Sequence, residues 1–496
     1  RVAGQTLAIH DYRFTDVHQS SMLNGAMRIS DPSTGRCRPL SPLLVGMTSI
    51  LVLLGGCGRE PQAPRSPQEV WRGLAGDRQI DQLNVILISI DTLRADHLTC
   101  YGYERDTTPE ICRFFADGTR FESAYSQSSW TAPAHASMFT GLLPARHGVT
   151  YGPLIPTLTG HPTIFQLFRE QGYFTAALYG GGYVNPVMPS SHVDFKRVIE
   201  LRHDLGKQLE DALRSKPGAR PFFLFLHGYD VHTPYAPKEN YFAESRPEID
   251  RLSRENRYCK YQDAADRSRY LDPESIPSDQ STQEYLESLY DSEILEVDRS
   301  LGSLFQHLRS RGLLDQTILI LTSDHGEEFW DHGSCEHVKT VYNELLHVPL
   351  FVRIPGGVGH VESTPVAANI DILPTIVEAL GWPAPASIDG ESLLRPAPRD
   401  IFSEAQFHYD SQHLRRYSVV RGSEKLIYDA NADARAWFDL EADPGEQQPR
   451  TAGGDPARSL LDALTKYIER GAPVVQHDGA LDPQTLEQLK QLGYIE

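Results

Sequence analysis

The run Asn84–Ile90, Asn-Val-Ile-Leu-Ile-Ser-Ile, decides the predicted fold, and Asp91 follows it directly. The run is short, almost entirely apolar and rich in β-branched residues, which indicates a parallel strand buried on both faces. Residues 317–323, Thr-Ile-Leu-Ile-Leu-Thr-Ser, form a second such run and lead straight into Asp324 and His325. Active sites of α/β proteins lie at the carboxyl ends of the strands. We therefore expect Asp91, Asp324 and His325 to meet at one sheet edge and to bind one metal ion.

Apolar runs and helical patterns alternate through the middle of the chain. Strands are predicted over residues 174–179, 221–226 and 348–354, and a long helix over residues 283–311, where apolar residues recur at helical spacing. Such alternation is typical of the α/β class, with a mostly parallel central sheet sandwiched by helices.

The pattern changes after Pro398. Short runs then predict four antiparallel strands followed by two helices, which together form a smaller C-terminal α+β subdomain. The predicted strands cover residues 401–404, 417–421, 425–428 and 436–440. The predicted domains are an N-terminal extension with a signal (residues 1–56), a tether (57–80), a catalytic domain (81–395) and the C-terminal subdomain (396–496).

The N-terminal region has the features of an export signal. Arg36 and Arg38 precede an apolar stretch over residues 40–56, which ends in Leu-Gly-Gly before Cys57. A basic region, an apolar core and small residues before a cleavage point are typical of a secretory signal. The Leu-Gly-Gly-Cys ending resembles a bacterial lipobox, so we expect an extracytoplasmic lipoprotein with a lipid anchor on Cys57. A single membrane anchor is the alternative, although the stretch is short for a full span.

Charge and cysteine content limit the partners and the chemistry. The net charge of -19 argues against nucleic acid as a partner, because binding a phosphate backbone needs basic surface. No cysteine spacing resembles a zinc site. In an exported protein Cys100 and Cys112 are the nearest candidates for a disulfide, and small buried thiols are the alternative.

A loop that enters a helix supplies the candidate nucleophile. Thr131 stands two residues before Pro133, at the start of a helix that we expect over residues 134–140 and that Gly141 ends. Free amides at a helix N-terminus stabilise anions and a deprotonated nucleophile. The alternative is that Thr131 is a helix N-cap, which is a common position for threonine.

Six blocks of the sequence, taken in order, carry a family resemblance. They cover residues 90–102, 131–141, 230–235, 323–327, 337–350 and 437–446. The chain resembles the sulfatase family of the alkaline phosphatase superfamily over most of its length. The resemblance implies an alkaline phosphatase-like fold, a divalent metal ion and hydrolysis of sulfuric or phosphoric esters.

Three positions depart from the family pattern. Thr92 stands where the family has a second adjacent Asp, and His135 where it has an Arg. Thr131 takes the place of the cysteine that is oxidised to formylglycine. These departures resemble superfamily members that use an unmodified threonine for phosphoryl or phosphonyl transfer.

The resemblance and the residue types together imply a set of site residues. Metal ligands are expected at Asp91, Thr131, Asp324 and His325. The metal is calcium by family resemblance, with manganese or zinc as alternatives for mixed Asp/His ligation. The predicted catalytic residues are Thr131 as direct nucleophile, His232 at the substrate anion or leaving group, and His135 with either His337 or Lys339 to offset charge.

The expected substrate is a small-molecule, glycan or lipid ester that carries sulfate, phosphate or phosphonate. Two alternatives stay open at this point. One is a phosphoryl-group transferase that acts on envelope components. The other is a binding protein built on a degenerate enzyme scaffold, although Asp91, Asp324, His325 and His232 are all present.

Overall fold

The computed structural model describes the catalytic core and most of the C-terminal region. The predicted signal, Cys57 and the tether lie outside the described residues, as does the second of the two predicted closing helices. The domain boundaries at residues 56, 80 and 395 stay predictions. The described residues are 83–149, 158, 160–181, 183–188, 190–255, 279–357, 359–363, 365–409, 412–450 and 455–471.

Sixteen strands occur within the described residues, and eight of them form one central sheet in the order β11-β2-β10-β7-β1-β6-β4-β5. Only β10 runs against its neighbours in that sheet, so the predicted mostly parallel sheet is confirmed. In chain order the strands are β1 (Asn84–Ile90), β2 (Thr119–Phe121), β3 (Ala124–Tyr125), β4 (Phe174–Tyr179), β5 (Phe195–Val198), β6 (Phe222–Gly228), β7 (Thr317–Thr322), β8 (Glu328–Phe329), β9 (Cys335–Glu336), β10 (Leu350–Arg353), β11 (His360–Glu362), β12 (Ala367–Ala368), β13 (Ile401–Tyr409), β14 (Gln412–Arg421), β15 (Glu424–Asp429) and β16 (Ala434–Asp439).

Strand β1 lies in the middle of the sheet and is fully buried. Ile86, Ile88 and Ile90 pack into the core on one face, whereas Val85 and Leu87 pack into the core on the other. Alternate side chains of a strand point to opposite faces, so a strand covered on both sides must be apolar at nearly every position. This requirement explains why the deciding run of sequence lacks a polar face.

Helices cover both faces of the sheet. The long helix α7 (Gln280–Ser310) packs on the face that includes Ile88. Its start is three residues earlier than predicted. Within the described residues, no helix is both long and apolar enough to cross a membrane. The α-helices are α1 (Pro109–Phe114), α2 (Thr131–Thr140), α3 (Pro144–His147), α4 (Ile164–Glu170), α5 (Leu205–Arg214), α6 (Pro247–Arg254), α7 (Gln280–Ser310), α8 (Asn343–Leu346), α9 (Ile372–Ala379) and α10 (Asp455–Glu469).

A side chain from a distant helix stabilises the start of α1. Thr108 occupies the N-cap position of α1, but its side chain makes no capping hydrogen bond and instead contacts Thr99. The carboxylate of Asp298, on α7, accepts hydrogen bonds from the backbone N–H groups of Glu110 and Ile111 at 2.9 and 2.8 Å. A side chain from a distant helix therefore satisfies the free amides of α1.

The open question about the cysteines has an answer for one pair. Cys100 and Cys112 form a disulfide, with their Cα atoms 5.7 Å apart. The bond joins the segment after Asp91 to α1, so it closes a loop of the catalytic domain next to the sheet.

The predicted C-terminal α+β subdomain is present as a four-stranded antiparallel sheet, β13-β14-β15-β16. One face, which includes Val420 and Ile427, packs against catalytic-domain residues such as Tyr125 and Leu346. The other face packs against helix α10. The C-terminal sheet is thus a layer between α10 and the catalytic domain.

A buried ion pair of the C-terminal subdomain binds Asn343 of the catalytic domain. Lys425 of β15 is fully buried, and its Nζ lies 2.8 Å from a carboxylate oxygen of Glu446 and donates to Asn343 Oδ1 at 2.8 Å. The backbone N–H of Asn343 in turn donates to Glu446 at 2.6 Å. Burial lowers the pKa of Lys425 and raises the pKa of Glu446, so each charge depends on the other for compensation.

We expect Lys425→Met to destabilise the protein by about 3–5 kcal/mol, because it leaves the Glu446 carboxylate buried and uncompensated. Chemical denaturation of the full chain measures the loss. The matched control is Lys466→Met, the same substitution at an exposed lysine of α10. An equal effect of the two substitutions would show that the buried pair contributes nothing to stability.

Candidate active site

Three side chains meet at the carboxyl edge of the central sheet. Asp91 follows β1, and Asp324 and His325 follow the adjacent strand β7. One ligand atom from each of the three lies within 4.8 Å of the others, and all three residues are fully buried. His325 Nε2 lies 3.5 Å from Asp91 Oδ1 and 3.5 Å from Asp324 Oδ2. The parallel register therefore places the predicted metal-binding residues together.

The chemistry of this cluster fits a divalent cation. Both carboxylate oxygens of Asp91 and the Oδ2 atom of Asp324 are buried and have no hydrogen-bond partner among the described residues. Burial raises the pKa of Asp91, because a carboxylate without water or a counter-charge is unfavourable in the ionised state. A bound cation would compensate these oxygens, and two carboxylates with one imidazole form a donor set that suits such an ion.

The orientation of His325 supports the same interpretation. Its Nδ1 lies 2.9 Å from the carbonyl oxygen of Gly326, which can only accept a hydrogen bond, so Nδ1 carries the proton. The lone pair of a neutral ring is then on Nε2, which faces Asp91 and Asp324. A backbone carbonyl that fixes one ring nitrogen while the other faces the cation is common among metal-binding histidines.

Thr131 is the first residue of helix α2, and Trp130 occupies the N-cap position. The N-cap alternative for Thr131 is therefore wrong, and the helix begins three residues earlier than predicted. Thr131 Oγ1 lies 3.3 Å from His325 Nε2. The hydroxyl of Thr131 thus contacts the Asp91–Asp324–His325 cluster. It also lies at the N-terminus of a helix, where backbone amides are free.

His135 lies one helical turn after Thr131 and is fully buried. Its Nδ1 donates to the carbonyl oxygen of Thr131 at 2.9 Å, and its Nε2 lies 3.2 Å from Ser89 Oγ. Burial, with the neighbouring His227, lowers the pKa of His135 to about 3. A neutral ring with both nitrogens engaged favours a role in holding Thr131 in place over the predicted offset of charge.

His232 lies on the loop that follows β6. Its Nδ1 is 2.6 Å from the carbonyl oxygen of Thr233 and therefore carries a proton. Its Nε2 is 3.2 Å from the hydroxyl of Tyr229, and the two rings stack with centroids 4.1 Å apart. Burial lowers the pKa of His232 to about 3, so Nε2 acts as an acceptor in this state.

His337 comes from a different loop and reaches the same cluster. The centroid of its ring lies 4.5 Å from that of His325 and 4.9 Å from that of His232. Its Nδ1 is 2.8 Å from Glu327 Oε1, and the other oxygen of Glu327 accepts from the hydroxyl of Tyr235 at 2.9 Å. Burial lowers the pKa of His337 well below its ordinary value and raises the pKa of Glu327 to about 7.

Comparison with known proteins identifies the family. The family described as Sulfatase matches residues 83–382, which is more than half of the chain. The chain belongs to the sulfatase family. The description N-sulphoglucosamine sulphohydrolase, C-terminal, matches residues 331–470 and so includes the C-terminal sheet and α10. The protein is therefore an ester hydrolase of this family, and the predicted resemblance is confirmed at that level.

Relatives of this sulfatase-family protein include an arylsulfatase and a multifunctional protein of the alkaline phosphatase superfamily. Arylsulfatase A of Homo sapiens is 26% identical over 456 residues, covering 83% of this chain and 87% of the relative. A multifunctional alkaline phosphatase superfamily protein of Trinickia caryophylli is 26% identical over 482 residues, covering 76% of this chain and 92% of the relative.

Solved structures share the fold. A phosphonate monoester hydrolase from Silicibacter pomeroyi superposes with a TM-score of 0.61 at 21% identity, covering 81% of this chain and 99% of that one. A protein solved with its substrate D-glucosamine-2-N,6-O-disulfate superposes with a TM-score of 0.62 at 20% identity, covering 78% of this chain and 98% of that one. The predicted alkaline phosphatase-like α/β fold is confirmed.

Lys339 of this sulfatase-family protein lies two residues after His337, and its side chain is half-buried. Its backbone carbonyl accepts a hydrogen bond from Arg416 Nη1 at 2.7 Å. Arg416 belongs to β14 of the C-terminal sheet, so the loop that carries His337 and Lys339 contacts both parts of the protein.

Two residues that contact this site, Glu327 and His227, were not among the predicted site residues. Glu327 stands directly after the Asp324-His325-Gly326 motif, so its position was available as a signal, although its contact with His337 was not. His227 lies near the end of β6 with its Nε2 3.4 Å from Asp91 Oδ2, and both of its ring nitrogens are buried without a hydrogen bond within the described residues. A histidine at the end of a buried strand was the available signal there.

We expect manganese or calcium at 100 times its dissociation constant to increase the free energy of unfolding of the wild type by about 2.7 kcal/mol. Asp324→Asn should abolish this increase, because it removes one of the two carboxylates that face the cation. The metal-free variant should be at least as stable as the metal-free wild type, since one buried charge is gone.

Thermal and chemical denaturation with and without a chelator measure both effects. Asp315→Asn, at an exposed aspartate before the opposite end of β7, is the matched control and should retain the full metal response. A metal response in Asp324→Asn equal to that of the wild type would exclude Asp324 as a ligand.

Proposed function

We propose that this sulfatase-family hydrolase cleaves phosphate or phosphonate esters with Thr131 as the direct nucleophile. Asp91, Asp324 and His325, together with the Thr131 oxygen, would hold the divalent cation. The observation that carries the proposal is the position of Thr131 Oγ1, 3.3 Å from His325 Nε2, in a buried cluster where both oxygens of Asp91 and Oδ2 of Asp324 have no hydrogen-bond partner among the described residues.

The chemistry of threonine favours phosphorus over sulfur as the site of attack. Formylglycine releases sulfate by breakdown of a hemiacetal, and a threonine side chain cannot form that group. A threonine ester must instead be cleaved by a second nucleophile that attacks the transferred group. Sulfate esters remain the second substrate class, since arylsulfatase A is among the relatives.

The proposed reaction has two displacement steps. The cation would lower the pKa of the Thr131 hydroxyl and offset charge on the ester oxygens. Thr131 Oγ releases its proton to solvent and forms a bond to phosphorus as the bond from phosphorus to the ester oxygen breaks, and the departing alkoxide takes up a proton from solvent. Water then attacks phosphorus as the bond to Thr131 Oγ breaks, one proton of that water passes to Thr131 Oγ, and phosphate or phosphonate leaves.

The remaining residues position and stabilise the reacting groups in this proposal. His135 holds the carbonyl of Thr131 and thereby the first turn of α2. His232 lies beside Tyr229 on the loop after β6, on the side assigned to the leaving group. Because Nε2 of His232 is an acceptor in the neutral ring, donation to a leaving group would require a second proton on the ring.

Lys339 supplies the cationic contact to the transferring group, with His337 next to it. Burial lowers the pKa of His337 well below its ordinary value and so favours its neutral form. Of the two predicted residues, His337 or Lys339, the proposal therefore assigns the charge to Lys339. His337 then contributes a neutral hydrogen-bonding group.

One relative and one solved structure support the phosphorus assignment, alongside several relatives that are named sulfatases. A multifunctional alkaline phosphatase superfamily protein and a phosphonate monoester hydrolase are among the proteins similar to this chain. Their names include phosphorus-ester chemistry, and their similarity covers most of this sequence. The degenerate binding-protein alternative has no comparable support, because the described site retains its carboxylates, imidazoles and hydroxyl.

We expect the wild type with manganese, zinc or calcium to hydrolyse nitrophenyl phosphate or phenylphosphonate esters faster than nitrophenyl sulfate. Thr131→Ala should lower kcat/KM by about a thousandfold or more, because the nucleophile is lost while Asp91, Asp324 and His325 remain to hold the metal. Initial rates across the panel test both statements. Intact-mass analysis of quenched wild-type enzyme should show a covalent adduct that Thr131→Ala lacks.

Thr140→Ala, at the far end of the same helix, is the matched control for this panel and should retain activity at a temperature below its midpoint of unfolding. Equal rates for Thr131→Ala and the wild type would exclude Thr131 as nucleophile without affecting the metal assignment. Faster turnover of sulfate than of any phosphorus ester would overturn the substrate assignment.

The predicted export signal sets the proposed location. With Cys57 lipidated, the enzyme would act outside the cytoplasm on envelope glycans, lipids or external esters. In a bacterial host that processes lipoproteins, we expect the wild type in the membrane fraction and Cys57→Ala in the soluble periplasmic fraction, because the acyl chains supply the membrane affinity. Another cysteine, Cys335, does not serve as a matched control position, because it is disulfide-bonded and its replacement by alanine would remove that bond. Membrane association of Cys57→Ala equal to that of the wild type would contradict the lipid anchor.

A further inference from the structure

Residues 336–339, here called the contact loop, have an unusual backbone. Glu336 and Val338 adopt positive φ angles of 63° and 82°. Positive φ is uncommon for residues other than glycine, and a β-branched residue such as valine tolerates it poorly. A loop of this kind keeps its conformation only when surrounding contacts hold it there.

The first set of contacts comes from the catalytic domain. The backbone N–H of Val338 donates to the carbonyl of Ser129 at 2.9 Å, and Ser129 Oγ donates to the carbonyl of Val338 at 3.1 Å. Ser129 lies two residues before Thr131. His337 adds its bond to Glu327. The contact loop is therefore attached to the segment that supplies the nucleophile and to the segment that supplies Asp324 and His325.

The second set of contacts comes from the C-terminal sheet. Arg416 Nη1 donates to the carbonyl of Lys339 at 2.7 Å, and Arg416 Nε pairs with a carboxylate oxygen of Asp429 on β15 at 2.9 Å. The guanidinium is planar, so a bond at Nε fixes the direction in which Nη1 donates. Arg416 is thus oriented by its own sheet and directed at the loop.

The segment after the contact loop is held by the same sheet. Lys425 and Glu446 bind the side chain and backbone of Asn343, as described above. His332, which precedes the loop, lies 2.8 Å from Glu344 and 3.1 Å from the carbonyl of Glu446. Although burial opposes its charge, Glu344 raises the pKa of His332 to about 9, so both ring nitrogens donate. Contacts to the C-terminal region therefore flank the contact loop on both sides.

We propose that Arg416 is a positioning residue of the active site, which holds the contact loop so that Lys339 meets the anionic group of the substrate. The inference rests on the proposed function, in which Lys339 makes that contact. It assigns the C-terminal sheet a role in substrate affinity. Loss of the bond from Arg416 frees the Lys339 carbonyl, and the strained backbone at Val338 then favours relaxation of the loop.

The kinetic test uses the full-length metal-loaded enzyme and the best phosphate or phosphonate ester from the panel. We expect Arg416→Ala to raise KM about tenfold with kcat within about twofold, because Lys339 contacts the anion in the ground state and the transition state alike. Arg416→Lys should restore part of the affinity, since an ammonium group can also donate to the Lys339 carbonyl.

The matched control is Arg415→Ala. Arg415 is the adjacent residue on β14 and is exposed, and alternation along the strand directs its side chain to the opposite face of the sheet. This control removes the same charge from the same strand without removing the bond to Lys339. Kinetic parameters of Arg415→Ala should stay within about twofold of the wild type, the scatter expected for a substitution without a contact at the site.

Two measurements that need no turnover accompany the kinetics. Hydrogen–deuterium exchange should increase over residues 336–342 in Arg416→Ala and stay unchanged in Arg415→Ala, because the Val338 amide loses protection. Calorimetric titration with inorganic phosphate should show about tenfold weaker binding to metal-loaded Arg416→Ala, in line with the expected change in KM.

The outcomes separate the two proposals. If the wild type hydrolyses no ester of the panel, the proposed function fails. Hydrogen–deuterium exchange and the calorimetric titration with phosphate then still test the role of Arg416. If hydrolysis occurs but Arg416→Ala matches Arg415→Ala in KM, phosphate affinity or exchange, the positioning role is overturned and the proposed function stands. A loss of kcat without a change in KM would also overturn it, because the loop would then act on chemistry rather than on binding.

Discussion

Two buried carboxylates that face one point are the constraint on which this site depends. Asp91 and Asp324 lie at the ends of neighbouring parallel strands, where no hydrogen-bond donor of the described residues reaches either oxygen of Asp91 or Oδ2 of Asp324. Buried charges of the same sign are tolerated only with a counter-charge. A cation would meet this need, and His325 Nε2 lies beside both carboxylates and 3.3 Å from Thr131 Oγ1.

A second layer of contacts holds the loops that surround this cluster. His135 and Ser89 lie beneath Thr131, and Glu327 with Tyr235 lies behind His337. The bond from Ser89 to His135 joins β1 to α2, the bond from His135 to Thr131 lies within α2, and Glu327 connects the loops that carry Tyr235 and His337. Together they fix the orientation of rings that would otherwise rotate, which is how a protein keeps a reactive site ordered before substrate arrives.

The C-terminal sheet contributes to the same order from outside the catalytic domain. Its apolar face packs against the catalytic domain, and Lys425 and Arg416 extend from that sheet to segments near the site. A strained backbone at Val338 persists because contacts from both sides restrain it. The division into a catalytic domain and a C-terminal subdomain therefore describes the topology better than it describes the site.

Local sequence patterns were enough to predict the α/β class, the buried strands and the position of Asp91, Asp324 and His325 at one sheet edge. These follow from local patterns, since an apolar run without a polar face must be buried on both sides and its last residue must emerge at the edge of the sheet. The packing of distant segments was needed to show that α2 starts at Thr131, that His135 is buried with a lowered pKa, and that Glu327 and Arg416 contact His337 and Lys339. Arg416 and Lys339 are 77 residues apart, and a hydrogen bond over that distance in the chain leaves no periodic signal in the sequence. Such contacts depend on how two sheets pack, which is a property of the whole fold rather than of any one segment.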